Sequence, residues 1–155
     1  MAPPLVVYAT EAEYRNHYEI YYCRTPIMSF EGIRIFFPKD QFEHAFYESS
    51  KEGSDDIFSK IRSQRIDWIR KTLESEEADL YQGWDKSFKT YNPGRRVSVV
   101  YENFVVVIRL SLNRKGVLKG NFITCYQADN SIDSIRKSPQ WTKEECLSYL
   151  KLIGR

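Results

Sequence analysis

Hydrophobic and polar residues alternate with a helical period in the first half of the chain and with a strand period in the second half. In the first half, the pattern predicts a short helix over residues 11–18, a helix from residue 39 or 40 to about residue 50, and a longer helix over residues 56–75. A β-branched and aromatic run at residues 33–37, closed by Pro38, predicts a strand between the first two helices.

The second half contains five runs that are typical of strands, at residues 81–84, 88–91, 95–101, 104–110 and 120–127. Turn residues such as Asn92-Pro93-Gly94 separate them, which predicts consecutive hairpins and therefore an antiparallel meander. Residues 104–108 are apolar at every position, as expected for a central strand covered on both faces. Thr142 followed by Glu145 is the signature of a capping box and predicts a last helix over residues 141–153.

Together these elements predict an α+β fold, in which amino-terminal helices pack on a roughly four-stranded antiparallel meander sheet and a carboxy-terminal helix follows. The length of 155 residues and the hydrophobic content of 42% favour a single domain over residues 1–155. There is no run of about 18 apolar residues and no signal-peptide pattern at the start, so we expect a cytoplasmic protein without membrane association. Three widely spaced cysteines and only two histidines indicate neither a disulfide framework nor a metal site, so we expect no metal and no cofactor.

Charge is divided unevenly along the chain. Residues 1–80 carry 10 Lys and Arg against 15 Asp and Glu, whereas residues 81–155 carry 13 against 6. Between Lys86 and Lys119, eight basic residues face one acid, Glu102. Such a stretch is a candidate footprint for a polyanion, although an ordinary solvated sheet face would have the same composition.

Two arginines break the amphipathic pattern of the predicted helix at 56–75. A helical wheel places Arg62 and Arg65 inside the apolar arc with Ile61 and Trp68. A buried guanidinium must meet carboxylates, backbone carbonyls or an anion, because burying it unpaired costs several kcal/mol. The spacing therefore fits either a structural ion pair, or snorkelling to an edge, or a clamp on one phosphate.

Three further residues carry candidate chemistry. The wheel turns His44 away from the core, so it is either a surface histidine or a general acid or base. Strict alternation in the last strand places Thr124 and Tyr126 on one face together with Phe122, which sets two hydroxyls side by side. Both are also ordinary strand residues.

The segments FEHAFYES, IRSQRIDWI, FVVVI, FITCYQAD and SPQW, which lie between Phe42 and Trp141, resemble the phage-associated nucleases of the barnase, EndoU, colicin and RelE-like (BECR) group. This resemblance implies helices followed by a four-stranded antiparallel sheet, and a metal-independent ribonuclease or ribonuclease toxin. It also implies a catalytic histidine in the first helix, arginines in the second and a Thr-x-Tyr element in a late strand. These positions correspond here to His44, Arg62, Arg65, Thr124 and Tyr126.

The function expected from this resemblance is cleavage of RNA by attack of the 2′-hydroxyl on the adjacent phosphate. His44 would transfer a proton, the two arginines would stabilise the phosphate, and the two hydroxyls would orient it or assist proton transfer. Four basic side chains of the second half would bind along the RNA backbone, namely Lys86, Lys89, Arg95 and Arg96. Tyr91 would stack on a base. An immunity or antitoxin protein is a further partner that the resemblance suggests.

Two alternatives remain open from the sequence. One is a non-catalytic RNA- or protein-binding module of a phage or mobile element, which keeps the fold and the basic sheet without turnover. The other is a metal-dependent nuclease, which needs clustered carboxylates. The second is disfavoured because the acidic residues at 55, 56, 76, 77 and 79 belong to predicted loops away from the basic half.

Overall fold

The computed structural model describes residues 2–29, 31–49 and 57–154. Within these ranges it contains six α-helices, which are α1 (Glu11–Tyr18), α2 (Gln41–Ala45), α3 (Lys60–Gln64), α4 (Ile66–Glu74), α5 (Ile132–Arg136) and α6 (Lys143–Leu152). A π-helical turn, Glu19–Cys23, continues α1. The strands are β1 (Ile27–Met28), β2 (Arg34–Phe36), β3 (Tyr47–Glu48), β4 (Ile57–Phe58), β5 (Asp79–Asp85), β6 (Thr90–Tyr101), β7 (Phe104–Leu112) and β8 (Leu118–Gln127).

The main sheet has six strands in the order β1-β2-β8-β7-β6-β5, and β3 pairs with β4 in a separate ribbon. The neighbours in the main sheet are antiparallel except for β2 and β8, which are parallel. This organisation confirms the predicted α+β class, but the sheet has six strands where the sequence predicts a roughly four-stranded meander. The difference arises because β2 joins β8 across a long sequence separation, and local hairpin signals carry no information about such a pairing.

The region predicted as one helix over residues 56–75 is divided. Ser59 begins α3 by accepting a hydrogen bond from the Arg62 amide, and the backbone leaves helical geometry at Arg65 before α4 continues. Ile61, which the wheel places toward the core, is 52% exposed. The wheel was therefore wrong for α3, because it assumed one straight helix across the break. The predicted helix from residue 39 or 40 to about 50 ends early, at Ala45, and both residue 50 and the predicted start at 56 lie outside the described residues.

The main core lies between the helices and one face of the sheet. Its fully buried side chains include Phe42, Ile69, Phe104 and Phe122. A smaller core lies on the other face, where α5 covers part of the sheet, and contains Tyr81, Val100, Val105 and Ala128. Strand β7 contributes to both cores, as its unbroken apolar run predicts. The part of the sheet that α5 leaves uncovered is called the open face below.

Two irregularities shape the sheet. In β8, Val107 pairs with Thr124 but Ile108 pairs with Phe122, so Ile123 forms a β-bulge. In β6, Val97 pairs with Gln82 while Asn92 pairs with the next residue of β5, Gly83, so residues 93–96 form a wide bulge. The strands predicted separately at 88–91 and 95–101 are therefore one bent strand. The tight turn of this hairpin lies at residues 86–89, and the separate turn predicted at Asn92-Pro93-Gly94 is wrong because these residues belong to β6 and its bulge.

The chain after α5 covers the outer edge of β5. The amide of Gln82 donates to the carbonyl of Pro139, and the amide of Trp141 donates to the carbonyl of Leu80. Thr142 then caps α6 by accepting from the Glu145 amide, which confirms the predicted capping of this helix. None of the helices described is long and apolar enough to cross a lipid bilayer.

Candidate nucleic-acid interface

Basic side chains from four strands lie on the open face of the sheet. Val97, Ile108 and Phe122 pair across neighbouring strands and belong to the main core. Because side chains alternate along a strand, the residues next to them in sequence point to the opposite face. The resulting surface, called the cationic face below, contains Arg34 and Phe36 from β2, Lys119 and Asn121 from β8, Arg109 from β7 and Arg96 from β6.

Arg96 and Arg109 are directly opposite each other in the β6–β7 register. Facing residues of an antiparallel pair have Cβ atoms about 4.5–5.5 Å apart, so two like charges in this position repel. Neither side chain forms an ion pair or hydrogen bond with any residue that the structure describes. The β5 backbone supports the base of Arg96, since a Cβ atom added to Gly83 would lie 2.7 Å from the Arg96 Cβ. An anion bound between the two guanidinium groups would remove the repulsion.

Phe36 lies on the cationic face between two further basic residues. The Arg34 Cζ atom is 4.7 Å from the centre of its ring and the Lys119 Nζ atom is 5.8 Å from it. The ring is 42% exposed. An exposed aromatic ring beside two cations suits a nucleotide, because the ring can stack on a base while the cations bind phosphate.

A second exposed aromatic group lies at the end of the β5–β6 hairpin. Trp84 pairs with Tyr91 in the register, and their rings meet edge to face with 5.1 Å between centroids. Phe88, in the turn, is 75% exposed. The predicted RNA-binding residues Lys86 and Lys89 are exposed in the same turn. Trp84 and Phe88 are not among the binding residues predicted from the sequence, although aromatic residues next to lysines in a basic stretch are a signal for them.

Two of the predicted RNA-binding residues also make internal contacts. The Tyr91 ring packs against Trp84, and its hydroxyl accepts a 3.3 Å hydrogen bond from the Ser138 hydroxyl. Arg95 donates to the carboxylate of Asp85 at 3.2 Å. Lys86, Lys89 and Arg96 therefore remain the residues of this group whose charges are not paired with any described residue.

The Asp85 carboxylate organises the hairpin turn. Its side chain is 2% exposed and accepts hydrogen bonds from the backbone amides of Ser87 (2.9 Å) and Phe88 (3.4 Å) as well as from Arg95. Burial alone would raise the pKa of Asp85, but the two amides and the Arg95 charge outweigh it and hold this pKa below its ordinary value.

The low pKa of Asp85 predicts a pH-dependent contribution to stability. A carboxyl group whose pKa is lower in the folded state stabilises the fold above its unfolded pKa of about 3.9, and this stabilisation is lost as the pH falls below that value. We therefore expect Asp85→Asn to lower the free energy of unfolding at pH 7, and the difference from wild type to shrink between pH 4 and more acidic conditions. Urea denaturation over a pH series measures both quantities.

The control for this prediction is Asp133→Asn, which removes an exposed carboxylate from α5. It should change the free energy of unfolding by less than about 0.5 kcal/mol at every pH. A difference between Asp85→Asn and wild type that stays constant across the pH series would contradict the assigned role of the Asp85 charge.

Helix α3, which carries Arg62, packs beside β8, the strand that carries Tyr126. Arg62 Nη1 donates to the carbonyls of Ala45 (3.2 Å) and Tyr47 (2.9 Å), so α3 is tied to the chain that follows α2. Burial raises the pKa of Tyr126, and the positive charge of Arg62 opposes this rise. Burial likewise raises the pKa of Cys125, to about 12, against the same charge. The side chain of Tyr126 itself packs in the smaller core, on the face of the sheet opposite the main core, so the two predicted catalytic side chains are not in contact.

Arg65 is engaged elsewhere. Its Nη1 atom donates to the carbonyl of Ile61 at 3.0 Å, and its Cζ atom lies 5.1 Å from the centre of the Trp68 ring. The backbone break at Arg65 separates its surroundings from those of Arg62, so each arginine contacts a different part of the protein. The Nε atoms of both arginines are buried without a hydrogen-bond partner among the described residues.

The remaining predicted catalytic residues are His44 and Thr124. His44 is exposed on α2, one residue before Ala45, the residue whose carbonyl binds Arg62. The side chain of Gln41 in α2 donates to the Ile123 carbonyl, which places this helix beside the β8 bulge.

The β8 bulge corrects one part of the predicted strand alternation. Phe122 and Cys125 both lie in the main core, so Thr124 and Tyr126 point to the face opposite Phe122 instead of sharing its face. The two hydroxyl residues still share a face, and the catalytic roles of the set remain predictions.

A hydrogen-bonded group around His17 is not among the sites predicted from the sequence. His17 is buried; its Nε2 atom donates to Asp67 Oδ1 at 2.8 Å, and its Nδ1 atom is 2.9 Å from the Tyr8 hydroxyl. Burial, followed by the charges of Tyr21 and Asp67, raises the pKa of Tyr8. The signal for this group was the position of His17 between Tyr14 and Tyr18 on the buried side of α1.

This His17 group lies far from the cationic face. The side chains of Ile66, Ile69 and Leu73 are fully buried and belong to the main core, so they direct one side of α4 toward the sheet. Asp67 lies on the other side of α4, beside a cleft of about 520 Å³. A proton can pass along a line of hydrogen-bonded hydroxyl, imidazole and carboxylate groups. Here the same hydrogen bonds also connect α1, α4 and the amino-terminal segment, so they stabilise the fold as well.

Within the described residues, no group of three or more His, Cys, Asp or Glu side chains is arranged to hold a metal ion. No protein-family model, no curated protein and no solved structure matches this chain.

Proposed function

We propose that this protein binds single-stranded RNA across the cationic face of its sheet. The observation that carries the proposal is the directly opposed pair Arg96 and Arg109, which repel each other without any acidic partner among the described residues. A phosphate between them would accept hydrogen bonds from both guanidinium groups. Charge-assisted hydrogen bonds of this kind are about twice as strong as neutral ones.

The dimensions of the cationic face suit a short stretch of nucleic acid. Arg96, Arg109, Asn121 and Phe36 form one row across four neighbouring strands. Adjacent strands lie about 4.8 Å apart, so the row is about 14 Å long. Stacked nucleotides rise about 3.4 Å each, so the row can follow roughly four of them. Lys119 and Arg34 form a second row beside the first.

Exposed rings at both ends of the first row favour a single strand over a duplex. Phe36 ends the row on β2; toward the hairpin, Trp84 lines a hollow with Arg96, and Phe88 lines a groove with Arg109. Aromatic side chains can stack only on bases that are not already stacked within a duplex. The choice of RNA over DNA comes from the resemblance to ribonucleases, and the binding assay below includes DNA for this reason.

Cleavage of the bound RNA is the second candidate function, and the hydrogen bond from Arg62 to the carbonyl of Ala45, the residue next to His44, is the observation that favours it. In this proposal, His44 accepts the proton of the 2′-hydroxyl while its oxygen attacks the adjacent phosphorus. Arg62 stabilises the charge of the phosphorane, and the departing 5′-oxygen receives a proton. Tyr126, whose hydroxyl is protonated at neutral pH, would supply that proton. Thr124 and Arg65 would complete the site, Arg65 only after leaving its contact with Trp68.

The binding proposal is tested by the salt dependence of affinity. We expect a fluorescein-labelled single-stranded RNA of 12 nucleotides to bind, and the logarithm of its association constant to fall linearly with the logarithm of the salt concentration. The slope should lie between about −2 and −3, which corresponds to four phosphate contacts. Fluorescence anisotropy measures the dissociation constants. The same assay with duplex RNA and single-stranded DNA tests strand and sugar preference. Affinity that is absent, or that does not change with salt, would refute the proposal.

The cleavage proposal is tested on the same RNA by gel analysis with EDTA present. Cleavage by wild type and its loss in His44→Ala, with binding unchanged, would support it. Intact RNA after incubation with wild type would leave the binding function alone, and full cleavage by His44→Ala would remove that histidine from the mechanism.

A further inference from the structure

The wide bulge in β6 opens the sheet next to the opposed arginines. The last pair between β6 and β7 is Arg96 with Arg109, although β7 continues to Leu112 and β6 begins at Thr90. The two strands therefore diverge beyond this pair. The space between them is a groove of about 540 Å³, called the split groove below. The end of the β5–β6 hairpin, strands β7 and β8, and α6 provide its walls.

One wall of the split groove is held in place by tight contacts. A Cβ atom added to Gly94 would lie 2.3 Å from the ring of Tyr149, so only glycine lets β6 approach α6 this closely. The Asn92 side chain donates to the Tyr149 hydroxyl (3.0 Å) and accepts from the Gly94 amide (2.9 Å). The Asp85 contacts described above fix the hairpin turn. The groove is therefore formed before any ligand binds, which lowers the entropic cost of binding.

The groove combines apolar surface with polar and charged groups, among them the ion pair of Asp85 and Arg95. Phe88 and Ile153 are its exposed apolar side chains, and Asn121 and Ser111 add polar groups. Its volume lies within the range of about 300–1,000 Å³ that small-molecule sites occupy. A nucleobase has this same character, since its faces are apolar and its edges carry hydrogen-bond donors and acceptors.

Arg109 belongs both to the split groove and to the cationic face. A phosphate held between Arg96 and Arg109 would thus bring its own nucleotide to the entrance of the groove. We propose that the split groove takes one unpaired nucleobase of the bound RNA, with Phe88 stacking on it. This inference rests on the proposed function. The positive charge at the entrance favours a nucleotide over an apolar peptide side chain as the occupant.

The substitution Phe88→Ala tests the inference, because Phe88 is exposed in a turn and its loss should not affect folding. The probes are a pentaribonucleotide and a ribose-phosphate strand of the same length without bases. We expect Phe88→Ala to weaken binding of the pentaribonucleotide by about 5- to 100-fold, the usual effect of losing one stacked base. The salt slope should not change, since no phosphate contact is lost. The strand without bases should bind wild type and Phe88→Ala equally.

The matched control is Leu152→Ala, which removes an apolar side chain that is 86% exposed and does not line the groove. It should bind both probes like wild type. Equal affinities of Phe88→Ala and Leu152→Ala for the pentaribonucleotide would overturn the base site while leaving salt-dependent binding, and so the proposed function, intact. If wild type shows no salt-dependent binding of either probe, the proposed function and the base site both fail.

Discussion

Replacing Arg96 and Arg109 together by glutamine should weaken the binding of single-stranded RNA by roughly 10- to 100-fold at moderate salt. Each arginine is expected to make one charge-assisted contact to phosphate, and the two lie directly opposite each other. The slope of log K against log salt should become less negative by about 1.4, which corresponds to two lost phosphate contacts. Anisotropy titrations at several salt concentrations measure both effects.

The control for this double substitution is Lys60→Gln with Lys151→Gln, two exposed residues on α3 and α6. It removes the same charge away from the cationic face. Equal loss of affinity in the two double variants would show that RNA binding depends only on the net charge of the protein. This result would contradict a specific binding site on the cationic face.

The stability of the Arg96 and Arg109 double variant provides a second check. Removing two facing like charges should leave the free energy of unfolding unchanged or raise it by a few tenths of a kcal/mol.

Phe122→Ala should lower the free energy of unfolding by about 3–5 kcal/mol. Phe122 is fully buried in the main core, with its ring centre 4.9 Å from that of Phe37 and 6.2 Å from that of Tyr18. Removing it leaves a cavity that the surrounding rings can fill only in part. Because domains of this size are stable by only about 5–15 kcal/mol, the loss is a large fraction of the total. Urea denaturation followed by tryptophan fluorescence measures it.

Phe88→Ala is the matched control for this substitution, because it truncates the same side chain at an exposed position. It should change the free energy of unfolding by less than about 0.5 kcal/mol. A cost below about 1 kcal/mol for Phe122→Ala would mean that the rings around it do not form the packed core described.

Features that depend on neighbouring residues could be predicted from the sequence. The capping box at Thr142 and Glu145 predicts the start of α6, because both partners lie within one helical turn. The apolar run of β7 predicts burial on both faces, and the basic stretch after residue 86 indicates the region that contains Arg96 and Arg109. Each of these signals is local, and chain topology does not change it.

Features that depend on distant contacts could not be predicted. The parallel pairing of β2 with β8 places Arg34 and Phe36 beside Lys119, and nothing near residue 34 in the sequence indicates that partner. The hydrogen bond from His17 to Asp67 likewise joins residues 50 positions apart. The sequence therefore indicated His44 as the histidine with candidate chemistry. The RNA contacts predicted from it lie on the β5–β6 hairpin and do not include the residues on β2 and β7.

Irregular backbone was the second limit. The single-residue bulge at Ile123 reverses the alternation of β8 and puts Phe122 and Thr124 on opposite faces. The break at Arg65 turns one predicted helix into two, so Arg62 and Arg65 do not share the environment that a continuous wheel assigns to them. Such interruptions follow from packing against the rest of the protein, and a periodic pattern cannot show them.

The cover over the outer edge of β5 has a consequence for self-association. An uncovered edge strand offers its amides and carbonyls to any strand of another molecule, which is a common route to aggregation. Here the carbonyl of Pro139 and the amide of Trp141 already occupy backbone groups of Gln82 and Leu80. A second copy could extend the sheet at this edge only by first pulling the segment before α6 away from β5.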